Sequence, residues 1–294
     1  MTPVLFATFT LVGCAASGLG QGSGTPGGPV RVVAAENFYG DIVTRIGGSH
    51  VTVTSILSDP NADPHLFEPG TATGAAVAGS ELVVENGLGY DAFMEKLLEA
   101  SPDPSRTVIT VADVLNVTSE GANPHLWYDL PRIPEVAAAI ADGLSALRPL
   151  DRSYFQTRLE AFDASLSPLD VAIAQIKRND AGAPVAYTEP VPGYLLEATG
   201  LAVKTPKSFA LAIEAGSEPT PQAVAEMSAL LTGKQIAVFL YNSQATSPIT
   251  EHLLQLARQN AIPVVPVTET LPPGMSFQNW QLGQIRALAT ALGR

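Results

Sequence analysis

A long helical pattern in the middle of the chain separates two regions in which strand and helix patterns alternate. From Ile133 to about Lys177, apolar residues recur at the spacing of a helix packed along one side, and Pro149 divides the segment into a short helix and a long one. The strand patterns on either side are short and apolar. They lie at 30–35, 51–57, 81–84, 107–111, 184–187, 236–241 and 262–267.

Alternating strands and helices predict an α/β fold, because successive parallel strands are joined through helices. We predict two lobes, each with a mainly parallel sheet flanked by helices, bridged by one long rigid α-helix. The length of 294 residues agrees with two lobes, since single cores stop growing near about 250–300 residues. The predicted organisation is a leader and flexible tether at 1–29, an N-terminal lobe at 30–130, linking helices at 131–180 and a C-terminal lobe at 181–294.

The charge of the chain excludes one class of partner. The net charge is −12 and the isoelectric point is near 4.7, so a phosphate backbone would be repelled and we expect no nucleic-acid partner. An acidic surface also concentrates cations. Solubility explains the same charge equally well.

The single cysteine, Cys14, follows an apolar run at 4–10 that is too short to span a bilayer and fits the apolar region of a signal peptide. The small residues before Cys14 resemble a lipobox, in which the thiol is acylated and the chain is cut so that the cysteine becomes the first residue. The Gly/Ser/Pro-rich stretch at 18–28 then reads as a tether. No lysine or arginine precedes Val4, and a buried N-terminal strand with an incidental cysteine is the alternative.

Two of the four histidines lie in similar contexts. His65 and His125 each follow a proline and precede an aliphatic and an aromatic residue, within Asp63–Phe67 and Asn123–Trp127. The proline holds the chain extended, and the apolar pair can bury the neighbouring backbone. Because ligands bind at the carboxyl ends of strands in open α/β sheets, both imidazoles could reach one crevice. A structural role in the loops is the alternative.

These segments, together with 35–39 and 55–57, resemble the cluster A-I solute-binding proteins that serve manganese and zinc ABC importers. The resemblance spans nearly all of the chain after the tether. It implies that His65 and His125 are metal ligands of the N-terminal lobe. It also implies that Glu189, five residues before Tyr194, and Glu269, after the last strand, are ligands of the C-terminal lobe.

Two carboxylates would neutralise a divalent ion, and two neutral imidazoles would add nitrogen donors. The carboxylate oxygens suit Mn²⁺. The Irving–Williams order nevertheless favours Zn²⁺ at almost any such site, so the cargo stays open between Mn²⁺ and Zn²⁺, with a slight preference for manganese. We interpret Glu36, Glu68 and Asp129 as groups that orient the imidazoles. His50 and His252 are expected at the surface.

The resemblance implies a binding protein rather than an enzyme, with no catalytic residues. It would bind the metal between its lobes outside the cytoplasm, at the cell surface or in the periplasm, and deliver it to an ABC permease with its ATPase. We expect a monomer, anchored to the membrane through lipid on Cys14. The alternatives are a metallohydrolase with a His/Glu-bound zinc and a siderophore- or corrin-binding protein of the same architecture.

Overall fold

The computed structural model describes residues 28–60, 66–119 and 121–293. The expected signal peptide, Cys14 and His65 lie outside these residues. In the described part, two four-stranded parallel sheets are flanked by helices and connected through one long helix. The predicted α/β class with two lobes is confirmed.

The sheet of the N-terminal lobe has the order β2-β1-β3-β4, and its strands are parallel. The central strand β1 is buried along almost its whole length, as expected where helices cover both faces of a parallel sheet. The edge strand β2 alternates exposed threonines with half-buried valines. The elements are β1 (Val30–Glu36), α1 (Asn37–Gly47), β2 (Val51–Leu57), α2 (Thr71–Ala78), β3 (Leu82–Glu85), α3 (Ala92–Ala100), β4 (Thr107–Thr110) and α4 (Val111–Val114).

The linking segment contains the helices α5 (Ile133–Leu147) and α6 (Arg152–Asp180). At 29 residues, α6 is about 43 Å long. The helix continues through Pro168. The predicted one-sided packing of this helix is confirmed, and Tyr154 and Leu159 are partly buried beside the stripe. Its buried residues are Phe155, Phe162, Leu166, Leu169, Ile173 and Ile176.

The sheet of the C-terminal lobe has the order β6-β5-β7-β8 and is also parallel. This order places β7 between β5 and β8, so the carboxyl ends of these three strands are neighbours. The elements are β5 (Pro184–Tyr187), α7 (Gly193–Thr199), β6 (Ala202–Val203), α8 (Lys207–Glu214), α9 (Pro221–Thr232), β7 (Val238–Asn242), α10 (Pro248–Gln259), β8 (Val264–Val267) and α11 (Phe277–Ala291).

The long helix joins the lobes by packing against both. It contacts α1 of the N-terminal lobe, the linking helix α5, and α7 and α11 of the C-terminal lobe. One core of buried apolar residues extends from the N-terminal sheet through α6 into the C-terminal sheet, and the rings of Phe38 and Trp280 stack across the lobes at 6.0 Å. None of the described helices has the length and apolar content that a bilayer crossing requires.

Candidate metal centre

The three described candidate ligands lie at the carboxyl ends of strands or in the loop facing them. Glu189 and Glu269 each come two residues after a strand, β5 and β8 respectively. His125 lies in the loop after α4, where Leu126, Trp127 and Tyr128 form a buried 3₁₀ turn. All three residues of this turn are fully buried. His125, Glu189 and Glu269 are all buried between the lobes.

The imidazole of His125 is oriented by Asn123. The Nδ1 atom lies 2.7 Å from Oδ1 of Asn123, an oxygen that also accepts the backbone N–H of His125 at 3.1 Å. Since an amide oxygen can only accept, Nδ1 carries the proton, and the lone pair of the neutral ring is on Nε2. Nε2 is buried and makes no hydrogen bond to a described residue.

Two carboxylates face this nitrogen. Oε2 of Glu269 lies 3.4 Å from Nε2 of His125, and Oε2 of Glu214 lies 3.8 Å from it. A lone pair that faces two carboxylate oxygens inside a protein requires a positive charge between them, either a proton or a metal ion. Burial opposes protonation of His125, but Glu214 and Glu269 outweigh it and raise the pKa of the ring. The position therefore attracts a cation.

Asn242 connects the two carboxylates of the C-terminal lobe. It is the last residue of β7, the strand between β5 and β8, and its Nδ2 donates to Oε2 of Glu189 and, at 2.7 Å, to Oε1 of Glu269. Gln244 accepts the backbone N–H of Glu269 at 2.6 Å. The acidic side chains are thus held in place by neutral amides.

Within the ranges 28–60, 66–119 and 121–293, no three His, Cys, Asp or Glu side chains form a ready-made metal-binding group. The amide of Asn242 contacts the carboxylates of both Glu189 and Glu269. His65, the fourth candidate ligand, falls in the gap between the first two ranges. The structure places Glu269 against His125 and connects Glu189 to Glu269 through Asn242, while His65 lies outside the described residues.

Glu36, Glu68 and Asp129, which were expected to orient the imidazoles, do not orient that of His125. Asn123 has that role. Glu68 is exposed, and Asp129 is half-buried, where burial raises the pKa of its carboxyl and Arg132 opposes the rise. Glu36 is fully buried; burial, followed by the charges of Asp91 and Glu85, raises its pKa well above the usual range.

The other two histidines lie away from the centre, as expected. His50 is partly exposed, and its Nδ1 lies 3.0 Å from Oδ2 of Asp151, while His252 is exposed on α10.

Sequence reasoning missed Asn242, Tyr90 and Glu214 as neighbours of the candidate ligands. Asn242 could have been found from its position at the end of an apolar strand. Glu214 ends a helix that the sequence does not predict, so nothing in the local pattern indicates it.

Comparisons with known proteins identify the family of the chain. Among curated relatives, the manganese-binding lipoprotein MntA of Bacillus subtilis is 27% identical over 176 residues, which are 58% of this chain and 56% of that protein. The manganese ABC transporter substrate-binding lipoprotein PsaA of Streptococcus pneumoniae serotype 4 is 30% identical over 179 residues, 56% of this chain and 57% of that protein. The chain thus matches little more than half the length of these relatives.

Solved structures support the fold. The periplasmic zinc-binding protein TroA of Treponema pallidum superposes with a TM-score of 0.77 at 20% identity and covers 91% of this chain and 100% of its own. The substrate-binding protein FpvC of Pseudomonas aeruginosa, in complex with Mn²⁺, gives 0.75 at 21% identity, with coverages of 90% and 98%.

The family assignment rests on a match over most of the chain. Residues 32–291 match the family described as zinc-uptake complex component A, periplasmic. This family consists of metal-uptake components, which does not support the metallohydrolase or the chelate-binding alternative. The resemblance drawn from the histidine segments is therefore confirmed, and the chain belongs to the ZnuA family of metal-uptake binding proteins.

Proposed function

We propose that this protein binds a divalent transition-metal ion, Mn²⁺ or Zn²⁺, between its two lobes and delivers it to an ABC permease and its ATPase. The observation that carries the proposal is the short distance between Nε2 of His125 and the carboxylate of Glu269, 3.4 Å, in a fully buried position. A buried imidazole lone pair that faces carboxylates is the arrangement that a cation stabilises.

The proposed ligands are His65 and His125 from the N-terminal lobe, 30–130, and Glu189 and Glu269 from the C-terminal lobe, 181–294. The linking helices at 131–180 keep the lobes at a fixed separation. The two glutamates neutralise a divalent ion, and the imidazoles contribute neutral nitrogen donors. Because each lobe contributes two ligands, the ion links the two lobes.

The carboxylates favour Mn²⁺ as cargo, and the intrinsic order of affinities favours Zn²⁺. The names of the relatives divide in the same way, since MntA and PsaA are named for manganese and TroA for zinc. We propose Mn²⁺ as the principal cargo, because two of the four ligands are oxygen donors. Elemental analysis of protein isolated from its native envelope decides between the two ions.

We further propose that the protein acts outside the cytoplasm as a monomer, anchored through lipid on Cys14. The support is the apolar run before Cys14 and the word lipoprotein in the names of MntA and PsaA. Mass spectrometry of the N-terminal peptide from membrane fractions tests the anchor. A thioether-linked lipid on Cys14 supports it, and an unmodified cysteine in the mature protein contradicts it.

The binding proposal is tested by titrating the purified protein with Mn²⁺ against a competing chelator. Alanine variants of His65, His125, Glu189 and Glu269 are compared with His252→Ala, which removes an exposed histidine of α10. Each ligand variant should lose more affinity than the roughly 10–100-fold typical of losing an outer-shell partner. His252→Ala should bind like the unmodified protein. Retention of stoichiometric, tight binding in all four ligand variants contradicts the proposal.

A further inference from the structure

Glu214 is a carboxylate of the C-terminal lobe that the four proposed ligands do not include. It is the last residue of α8, and its side chain is 16% exposed. Its Oε2 atom is buried, makes no hydrogen bond to a described residue, and lies 3.8 Å from Nε2 of His125. An ionised carboxyl oxygen withdrawn from water in this way is costly unless a cation compensates it.

A cavity of about 590 Å³ leads to this carboxylate. Tyr90 and Asn123 line it on the side of the N-terminal lobe, and Tyr187, Lys207 and Leu211 on the other side. Among the described lining residues, Glu214 is the only one with a carboxylate. An ion that enters this cavity therefore meets Glu214, whose Oε2 atom lies 3.8 Å from Nε2 of the buried His125.

The two unsatisfied atoms point to one occupant. Nε2 of His125 and Oε2 of Glu214 are both buried without a hydrogen-bond partner among the described residues. At 3.8 Å they are too far apart for a good hydrogen bond to each other. A carboxylate oxygen and an imidazole nitrogen are both ordinary ligands of Mn²⁺ and Zn²⁺, and a metal ion can contact both at once.

We propose that Glu214 is a further metal-contacting residue, which receives the ion from the cavity and passes it to His125 and Glu269. This inference rests on the proposed function. Glu214 differs from the other two carboxylates in its surroundings, because Asn242 holds Glu189 and Glu269 while Glu214 faces the cavity without such a partner. It therefore contributes mainly to the rate at which the ion is captured.

The test compares Glu214→Gln and Glu214→Asp with Glu218→Gln, which removes an exposed charge four residues away. Stopped-flow mixing with Mn²⁺ measures the association rate, and the absorption spectrum of bound Co²⁺ reports the ligand set. Glu214→Gln should lower the association rate by about 10-fold or more and alter the Co²⁺ spectrum. Glu214→Asp keeps the charge but retracts the carboxylate, so it should show a similar loss. Glu218→Gln should stay within about twofold, because solvent screens its charge.

The outcomes separate this inference from the proposed function. If the unmodified protein binds Mn²⁺ tightly and Glu214→Gln has the same rate and the same Co²⁺ spectrum, Glu214 is not a metal contact and the inference is wrong. Tighter binding by Glu214→Gln would also overturn it, because Glu214 would then act only as a partner of protonated His125. A normal rate in Glu214→Asp, with a slow rate in Glu214→Gln, would reduce the role to long-range attraction and contradict direct contact. Failure of the unmodified protein to bind any metal would instead reject the proposed function.

Discussion

The phenol of Tyr90 donates a hydrogen bond of 3.0 Å to Oε2 of Glu269, across the boundary between the two lobes. The loop that carries Glu269 is fixed to the N-terminal lobe at two further points. Tyr128 donates to the carbonyl of Thr268 at 2.9 Å, and Asn37 makes a pair of hydrogen bonds with the backbone of Leu271. The position of Glu269 relative to His125 is therefore set by protein contacts, which prepares the site for an ion.

Replacing Tyr90 by phenylalanine removes the hydrogen bond to Glu269 and keeps the ring. A hydrogen bond to a charged group contributes about 1.5–3 kcal/mol, so the free energy of unfolding of the metal-free protein should fall by about that amount. Urea unfolding measures it. The control is Tyr187→Phe, since Tyr187 lines the same cavity on the side of the C-terminal lobe. Equal stabilities of the two variants would contradict a structural role for the Tyr90 hydroxyl.

Replacing Asn242 by aspartate puts a third carboxylate against Glu189 and Glu269 and removes the amide donor. Breaking a buried charged contact of this kind costs about 3–5 kcal/mol, so the metal-free variant should be strongly destabilised at pH 7. Saturating Mn²⁺ should restore part of the stability, because a cation compensates the added charge. Thermal unfolding with and without Mn²⁺ checks both points against Asn279→Asp, an exposed position on α11. Equal melting temperatures in the two aspartate variants would show that Asn242 does not hold the carboxylates.

Glu36 should make the stability of the protein depend on pH. Burial, then Asp91 and Glu85, raise the pKa of Glu36 in the folded state. Between the ordinary glutamate pKa and this raised value, the folded state holds a proton that the unfolded state releases, so the free energy of unfolding falls as pH rises. Below the ordinary pKa both states are protonated and the effect vanishes.

In Glu36→Gln the side chain at this position no longer titrates. The free energy of unfolding of the variant, relative to that of the unmodified protein, should therefore increase from pH 4 to pH 8. Each kcal/mol corresponds to roughly 2–4 °C in melting temperature for a protein of this size. The control is Glu99→Gln, an exposed position on α3. A difference for Glu36→Gln that stays constant between pH 4 and pH 8 would mean that the pKa of Glu36 is not raised in the folded protein.

Trp127 should report metal binding by fluorescence. Its ring lies 5.1 Å from the imidazole of His125 and stacks on Phe38 at 4.4 Å. Coordination of Nε2 changes the charge next to the indole, so Mn²⁺ should alter the emission. The protein has two tryptophans, and Trp280→Phe should keep the response while Trp127→Phe loses it. The reverse pattern would place the ion away from His125.

The sequence predicts most of the fold because strand and helix periodicities are strong in the core. The buried strands β1, β3, β5, β7 and β8 are each found within two residues of their predicted bounds. The elements that escape prediction are short or polar. The two residues of β6 are too few to show a period, and α7 and α8 have seven and eight residues whose boundaries depend on tertiary contacts.

The candidate site is predictable only where a local motif carries it. His125 can be found because Pro124 and the buried turn after it define the loop. Asn242 lies between the two glutamates because β7 lies between β5 and β8. This strand order is not a local property of the chain. Glu214 belongs to the C-terminal lobe and His125 to the N-terminal lobe. Only the packed structure brings the two side chains together.

The most direct test of the metal centre is anomalous diffraction from a crystal grown with Mn²⁺, measured above and below the manganese absorption edge. We expect one strong peak within coordination distance of Nε2 of His125 and of the carboxylates of Glu189 and Glu269. A peak bound by other residues, with Nε2 of His125 still uncoordinated, would contradict it.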